Sequence, residues 1–561
     1  MKIVECKAYL ERYGETNIDN KFVEGKMTIV EKEDYFLLDV NVNCIFNPYV
    51  YQRCLSKDIS ASVTVEFDNI DKVLVQKITD PFWSRYEFLN KTTNFSAEGQ
   101  AMLMKCKDKY ACILPLISKE FKASITGSKL NNCVKINISK MSCGCNKING
   151  TVAVITESSD PYDAVGKAYE KAVLRGLITT PLKKDKSYPT ILEKLGWCTW
   201  NAFYHDVSEA GIIEKMEEFK AKKIPVKWVL IDDGWSEYSD LKLHSIYEDK
   251  TKFPSGLKGT IEILKKEYDI EAVGVWHAMT GYWQGVKDSM TNITAANGDT
   301  YVPCGYEFYS KWHKYLKEQG VDFLKIDAQG NIVEFLNGRD NALEKIFEIQ
   351  SGLEQSVFEN FDFMINCMGT NNINMFNRKN SVLVRNSDDF FPQKEDALKN
   401  HVLQNAYNAV FNDNLYYCDY DMWWSNHFEA EQNAALRAIS GGPFYLSDAV
   451  GESNEKIINK FVNQNGEILR YDNAAKPTAD CLFGIDNILK IYNTYGKNGI
   501  VAVFSFEIGG KVQIGANDFG GKGDYIVTEI FSGDSYRLNE KELIDVELNA
   551  NSVKMFRFEC N

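Results

Sequence analysis

Carboxylates at the ends of short apolar runs are the residues of this sequence best suited to chemistry. The run Val321-Asp322-Phe323-Leu324-Lys325-Ile326-Asp327 ends in one, and Trp228-Val229-Leu230-Ile231 ends in two, Asp232 and Asp233. Arg385-Asn386-Ser387 leads to another adjacent pair, Asp388 and Asp389. Two carboxyl groups suffice to cleave a glycosidic bond without a cofactor or metal, one as nucleophile and one as acid and then base. Asp327 is the candidate nucleophile. On a strand Lys325 shares its face, and a nearby ammonium would hold the carboxylate ionised. A purely structural Lys–Asp pair is the alternative. Asp388 is the candidate acid/base. The adjacent Asp389 charge pushes a carboxyl pKa up, and a general acid must carry its proton near neutral pH. A helix-capping role is the alternative there.

Other run ends add Trp200, Trp276, His277, Cys367, Arg385, Asp421 and Asp448. Aromatic rings stack on the apolar face of a pyranose while carboxylates accept its hydroxyl protons. Trp200 and Trp276 are therefore candidates for sugar stacking and His277 for a hydrogen bond, although a strand-end histidine is more often structural. Asp232 and Asp233 could clamp two hydroxyls. A Mg²⁺ or Ca²⁺ site there would need further oxygen ligands that the sequence does not supply. Cys367 has no evident base, so it reads as a packing or hydroxyl-contact residue.

The elements that must carry these residues alternate strand and helix from Leu195 to Ser447. Strands are expected at 196–200, 226–231, 272–276, 321–327, 363–367, 382–385, 415–418 and 444–447. Apolar helical spacing fills nearly every gap, and Ser208 is the expected N-cap of the first of these helices. No clear helix is legible between the fifth and sixth strands. Eight strands so connected predict a central (β/α)8 TIM barrel, whose active site lies at the C-terminal strand ends. A doubly wound sheet would need a Gly-rich turn after its first strand, and Gly196-Trp197-Cys198-Thr199-Trp200 is not one. Residues 1–175 show short β-branched runs and then a helix from Asp163 to Leu174, an N-terminal β-sandwich domain. The barrel is expected at 190–465, and a C-terminal antiparallel β-sandwich at 470–561.

The chain has 561 residues and a formal net charge of -14, with 13% aromatic residues. An acidic surface does not attract nucleic acid or anionic membrane and suits a neutral oligosaccharide or glycoside. Met1 to Lys7 holds no apolar signal core, and no apolar run is long enough to span a membrane. A cytoplasmic location is expected, with the 14 cysteines reduced. Cys143-Gly144-Cys145 lacks a second pair at ligand spacing, so no metal is expected. Whether the chain forms a homo-oligomer is open.

The motifs GWCTWNAFY, WVLIDDGW, VWHAMTGYW, FLKIDAQ, INCMG, VRNSDDFFP and AALRAISGGPFYLSD resemble, in order, the raffinose synthase and seed-imbibition (alkaline α-galactosidase) branch of the family 36 glycoside hydrolases. The resemblance runs from Gly196 to Asp448. It implies an N-terminal β-supersandwich, a C-terminal β-sandwich and retaining chemistry on α-galactosides. It implies Asp327 as nucleophile and Asp388 as acid/base. Asp232 and Asp233 would bind the 4- and 6-hydroxyls, and Trp276, Lys325, Cys367 and Arg385 would line the sugar subsite. Two departures bear on the acceptor: Asn201 stands where plant members usually have Asp, and the chain is much shorter than plant raffinose synthases. INCMG also lacks the Gly-rich run that meets the 2-hydroxyl in bacterial α-galactosidases, which leaves a 2-acetamido sugar open. The first expectation is a retaining α-galactosidase. The alternatives are a galactosyltransferase of raffinose or stachyose synthase type, an α-N-acetylgalactosaminidase, and a non-catalytic sugar-binding protein.

Overall fold

The N-terminal strands are apolar on both faces, and strand alternation explains why. In the computed structural model, which describes residues 1–561 except 12, 46–53, 91–94, 96, 297 and 395, twelve strands between Lys2 and Ser158 form one antiparallel sheet. Successive side chains on a strand point to opposite faces. Leu38, Val73, Val75, Met102, Met104, Ile113 and Ile155 pack into a core within the sheet. Their neighbours Leu37, Leu74, Leu103, Cys112, Leu114 and Val154 join a second, larger core that continues into the central segment. Helix Pro161–Leu174 seals this junction with Ala164, Val165, Ala168, Tyr169 and Ala172. Asp160 caps it by accepting from Asp163 N at 2.8 Å, and Pro161 occupies the first turn, where its missing N–H costs nothing.

The central segment forms an eight-stranded parallel sheet. Its strands are Gly196–Cys198, Trp228–Ile231, Ala272–Ala278, Phe323–Asp327, Met364–Asn366, Leu383–Arg385, Tyr417–Asp419 and Tyr445–Leu446. The eighth pairs beside the first, and the seventh ends the order on the other side. Past the end of the seventh strand, Trp423 forms an isolated parallel bridge with Leu446 of the eighth. Alternate residues of the strands build a separate inner core that includes Trp228, Leu230, Phe323, Ile365, Leu383 and Tyr445. Gly196 and Gly274 make room for it, since a Cβ at either would run into the Trp228 or Phe323 ring.

Helix Glu209–Lys222 begins at Ser208, whose hydroxyl accepts from Gly211 N at 3.3 Å. Between the fifth and sixth strands only the one-turn helix Asn372–Met375 forms. The sequence reading missed two hairpins, Ser236–Ser239 with Lys242–Glu248 and Ile293–Ala295 with Tyr301–Pro303. Their strands carry mixed polar and aromatic residues without a clean alternation. From Lys476 onward six strands form one antiparallel sheet and two more another. Among the described residues, no helix is long and apolar enough to cross a membrane, and no disulfide forms.

Candidate active site

Asp327 ends the fourth strand of the parallel sheet with both carboxylate oxygens engaged. Oδ2 accepts from Trp276 Nε1 at 2.8 Å and Oδ1 from Ala328 N at 2.8 Å. Ala328 adopts φ 53°, a left-handed conformation uncommon for a residue with a Cβ. It turns the chain away immediately beyond the carboxylate. Asp327 is buried, with 6% residual exposure. Burial pushes its pKa up, the Lys325 ammonium pulls it down, and Asp389 pushes it up again; the net direction is upward.

Lys325 lies on the same face as expected, but its ion pair is with another residue. Its ammonium is 2.7 Å from Asp232 Oδ2. Burial opposes the charge, yet Asp232 chiefly, with a smaller part from Asp327, holds the Lys325 pKa well above its ordinary value. Asp232 also accepts from Cys198 Sγ at 3.3 Å and from Asp233 N at 2.8 Å. Asp233 is nearly saturated by protein donors: Tyr282 OH at 2.9 Å, Trp283 Nε1 at 2.9 Å and His205 Nε2 at 3.2 Å. The pair expected to clamp hydroxyls is therefore itself clamped. Trp276 packs edge-on to Tyr282 and tilted to Trp283, with ring centroids 5.8 Å apart in each case. Trp200, on the one-turn helix Trp200–Phe203, stands edge-on to Tyr204 and His205 at 5.2 and 5.3 Å.

The sixth strand contributes Arg385, which is fully buried. Its guanidinium meets Asp421 Oδ1 at 2.8 Å and Asp389 Oδ1 at 3.1 Å, and donates to the Asp388 carbonyl at 3.1 Å. Asp421 Oδ2 in turn accepts from Phe390 N at 2.7 Å, which pins the loop that bears the two aspartates. Cys367 lies 3.8 Å from Arg385 Nη1. Burial and the Asp327 charge push its thiol well above the ordinary range, which disfavours the thiolate. Asp388 is more open, with 24% side-chain exposure, and pairs with Arg85 Nη2 at 2.8 Å. Burial raises its pKa, Arg85 lowers it and Asp389 raises it, with a net rise. A carboxyl raised in this way is suited to holding a proton.

His277 corrects the sequence reading. Alternation along Ala272–Ala278 turns Trp276 toward Asp327 and its neighbour His277 to the opposite face. There its Nε2 meets His313 Nε2 at 3.0 Å, and its ring packs tilted against Trp312 with centroids 4.3 Å apart. It belongs to the packing between sheet and helix Gly305–Glu318. Asp448 is likewise structural, accepting from Ser425 N, Ser425 Oγ and Ser453 Oγ at 2.6, 2.6 and 2.9 Å.

Sequence reasoning missed Tyr282, Trp283, His205, Trp83 and Arg85 as neighbours of the site. Tyr282 and Trp283 lie within the motif that carries Trp276, which was a usable signal. Trp83 and Arg85 come from the N-terminal sheet, and no local pattern connects them to Arg385 and Asp388. Among the described residues, no group of three or more His, Cys, Asp or Glu side chains is arranged to hold a metal ion.

The model of the family described as raffinose synthase or seed imbibition protein Sip1 matches residues 82–248, 239–302 and 298–514. A probable galactinol–sucrose galactosyltransferase 6 of Arabidopsis thaliana is 31% identical over 74% of this chain and 62% of its own length. The galactinol–sucrose galactosyltransferase of Pisum sativum is 29% identical over 72% of this chain and 60% of its own. The chain thus spans about six-tenths of the length of these curated relatives. Among solved structures, the α-galactosidase from Lactobacillus brevis superposes with a TM-score of 0.63 at 10% identity, covering 100% of this chain and 88% of that one. The GH36 α-galactosidase AgaA from Geobacillus stearothermophilus gives 0.60 at 12%, covering 100% and 89%. At such identities the likeness is one of fold.

Proposed function

This chain belongs to the raffinose synthase or seed imbibition protein family, and on that premise we propose that it is a retaining enzyme acting on terminal α-galactosyl residues. What carries the reading is the contrast between two carboxyl groups at strand ends. Asp327 is buried and held by Trp276 Nε1 and Ala328 N, with Lys325 favouring its ionised form, whereas Asp388 is partly open to solvent and to an incoming hydroxyl. An Asp327 oxygen attacks the anomeric carbon as the bond to the leaving oxygen breaks, and Asp388 gives that oxygen its proton. The Asp388 carboxylate then takes a proton from an incoming hydroxyl, which displaces Asp327 from the anomeric carbon. Two inversions give net retention. Arg385, Asp389, Asp232, Asp233, Cys367, Trp276 and Trp200 line the galactosyl pocket, and Lys325 neutralises Asp232. The parallel sheet acts as a closed (β/α)8 barrel flanked by the β-supersandwich and β-sandwich, a reading supported by the Trp423–Leu446 bridge.

With water as the incoming hydroxyl the enzyme is an α-galactosidase, our first reading. A second reading, with a sugar hydroxyl as acceptor, is favoured by the relatives named galactinol–sucrose galactosyltransferases. Assay on nitrophenyl α-galactoside, α-N-acetylgalactosaminide and α-glucoside, with and without sucrose, tests both. Free galactose as sole product supports hydrolysis, and a trisaccharide supports transfer. No turnover of any of the three removes the proposal.

A further inference from the structure

Arg85 reaches Asp388 from the N-terminal sheet, 303 positions away in sequence. The contact exists because strand Ser84–Leu89 is docked on the barrel segment through buried polar groups. Ser84 N donates to Thr370 Oγ1 at 2.6 Å. Ser84 O accepts from Gln404 Nε2 at 3.0 Å and Asn408 Nδ2 at 2.9 Å. Gln76, on the paired strand Ile70–Ile78, donates to Asn412 Oδ1 at 3.0 Å. The Trp83 ring lies 5.4 Å beneath the Arg385 guanidinium. Satisfied buried networks of this kind resist rearrangement because any broken member is left unpaired. The backbone at residue 85 is thereby fixed against helix Ala397–Asn412 and against the loop that carries Asp388.

We propose that Arg85 is the positioning residue of the acid/base: it fixes where the Asp388 carboxyl stands, which brings the N-terminal sheet into the support of the catalytic centre. This rests on Asp388 being the acid/base. The pair engages Oδ2 of Asp388 and not Oδ1. The charged groups facing Asp388 are Arg85 from the sheet, and Asp389 and Arg385 from its own loop and strand. Helix Ala397–Asn412 presents uncharged Gln404 to Arg85 at 3.5 Å, and His401, which burial holds neutral, lies 3.4 Å from Ser387 Oγ. With Arg85 37% exposed, the ion pair is screened by solvent. It opposes the rise in the Asp388 pKa without cancelling it. Removing the guanidinium should let Asp388 hold its proton to higher pH while losing its placement.

The test is the pH profile of kcat/KM for the full chain with Arg85→Met, Arg85→Lys and Asp388→Ala, on a nitrophenyl α-galactoside and on an α-galactosyl oligosaccharide. A melting scan establishes that each variant is folded. For Arg85→Met the alkaline limb should move to higher pH, because a general acid is active in its protonated form. Its kcat/KM on the oligosaccharide should fall roughly tenfold and by a smaller factor on the nitrophenyl substrate, whose leaving group needs less protonation. Arg85→Lys keeps the charge, so its alkaline limb should stay close to that of the parent. An unmoved limb in Arg85→Met, or equal losses on the two substrates, overturns the role of Arg85. If Arg85→Met does not fold, a limb shifted upward in Arg85→Lys does so instead. The premise fails separately, if Asp388→Ala loses no more on the oligosaccharide than on the nitrophenyl substrate.

Discussion

The Lys325 ammonium lies 2.7 Å from the Asp232 carboxylate, 93 positions earlier in the chain, although Asp327 is its neighbour on the same strand face. The pair is nearly fully buried, with 5% and 3% side-chain exposure. A lone charge in such a place is costly. Lys325→Met leaves Asp232 without its cation and should cost about 3–5 kcal/mol in denaturant unfolding. The double variant Lys325→Met/Asp232→Asn should recover part of that loss. Lys325 also favours the ionised form of Asp327. In folded Lys325→Met the acidic limb of kcat/KM should therefore move to higher pH, since a nucleophile works deprotonated. An unmoved limb would show that Lys325 is structural alone.

The two proposed catalytic carboxylates should fail differently. Asp327→Ala removes the nucleophile and should lower kcat on every α-galactoside, by a factor on the order of 10^4 or more. Asp388→Ala should cost roughly 10²–10⁴ on sugar leaving groups and much less on nitrophenyl leaving groups. Added azide, a nucleophile that needs no base, should displace Asp327 from the anomeric carbon in Asp388→Ala, restore turnover and give a product of retained, α configuration. Azide stimulation of Asp327→Ala with an α product would instead exchange the roles of the two residues.

His205 ties the loop after the first strand to Asp233, and that bond raises its pKa above the ordinary 6.5. A cation favoured by the fold stabilises the fold fully below the unfolded pKa. That contribution disappears as pH rises through the folded value. Parent and His205→Gln should therefore differ most below about pH 6.5 and converge in alkaline buffer. Because His205 is half-exposed, the difference should stay below about 1 kcal/mol. Urea midpoints measured at acid and alkaline pH check it, and a gap that widens with pH would refute the assignment.

His277 is buried on the helix side of its strand, where burial pushes its pKa down to about 4. His277→Gln should disturb the His313 contact and cost about 1–3 kcal/mol of stability. KM for a galactoside should not change, because the ring does not face Asp327. A KM raised severalfold in folded protein would return His277 to the pocket.

Much of this protein was legible in its sequence because the rules that set it are local. Strand alternation by itself puts Trp276, Lys325 and Asp327 on one side of the wall. Apolar runs broken by Gly and by capped helices such as that at Ser208 mark out eight parallel strands. The same alternation, applied at His277, would have excluded it. Tertiary structure alone decided which charge meets which. Lys325 pairs with Asp232, Arg385 with Asp421, and Asp388 with Arg85 across 303 residues. A side chain's direction follows from the backbone torsions of its own strand. Its partner depends on how separate sheets dock and which groups they shut away from water, and no window of sequence contains that.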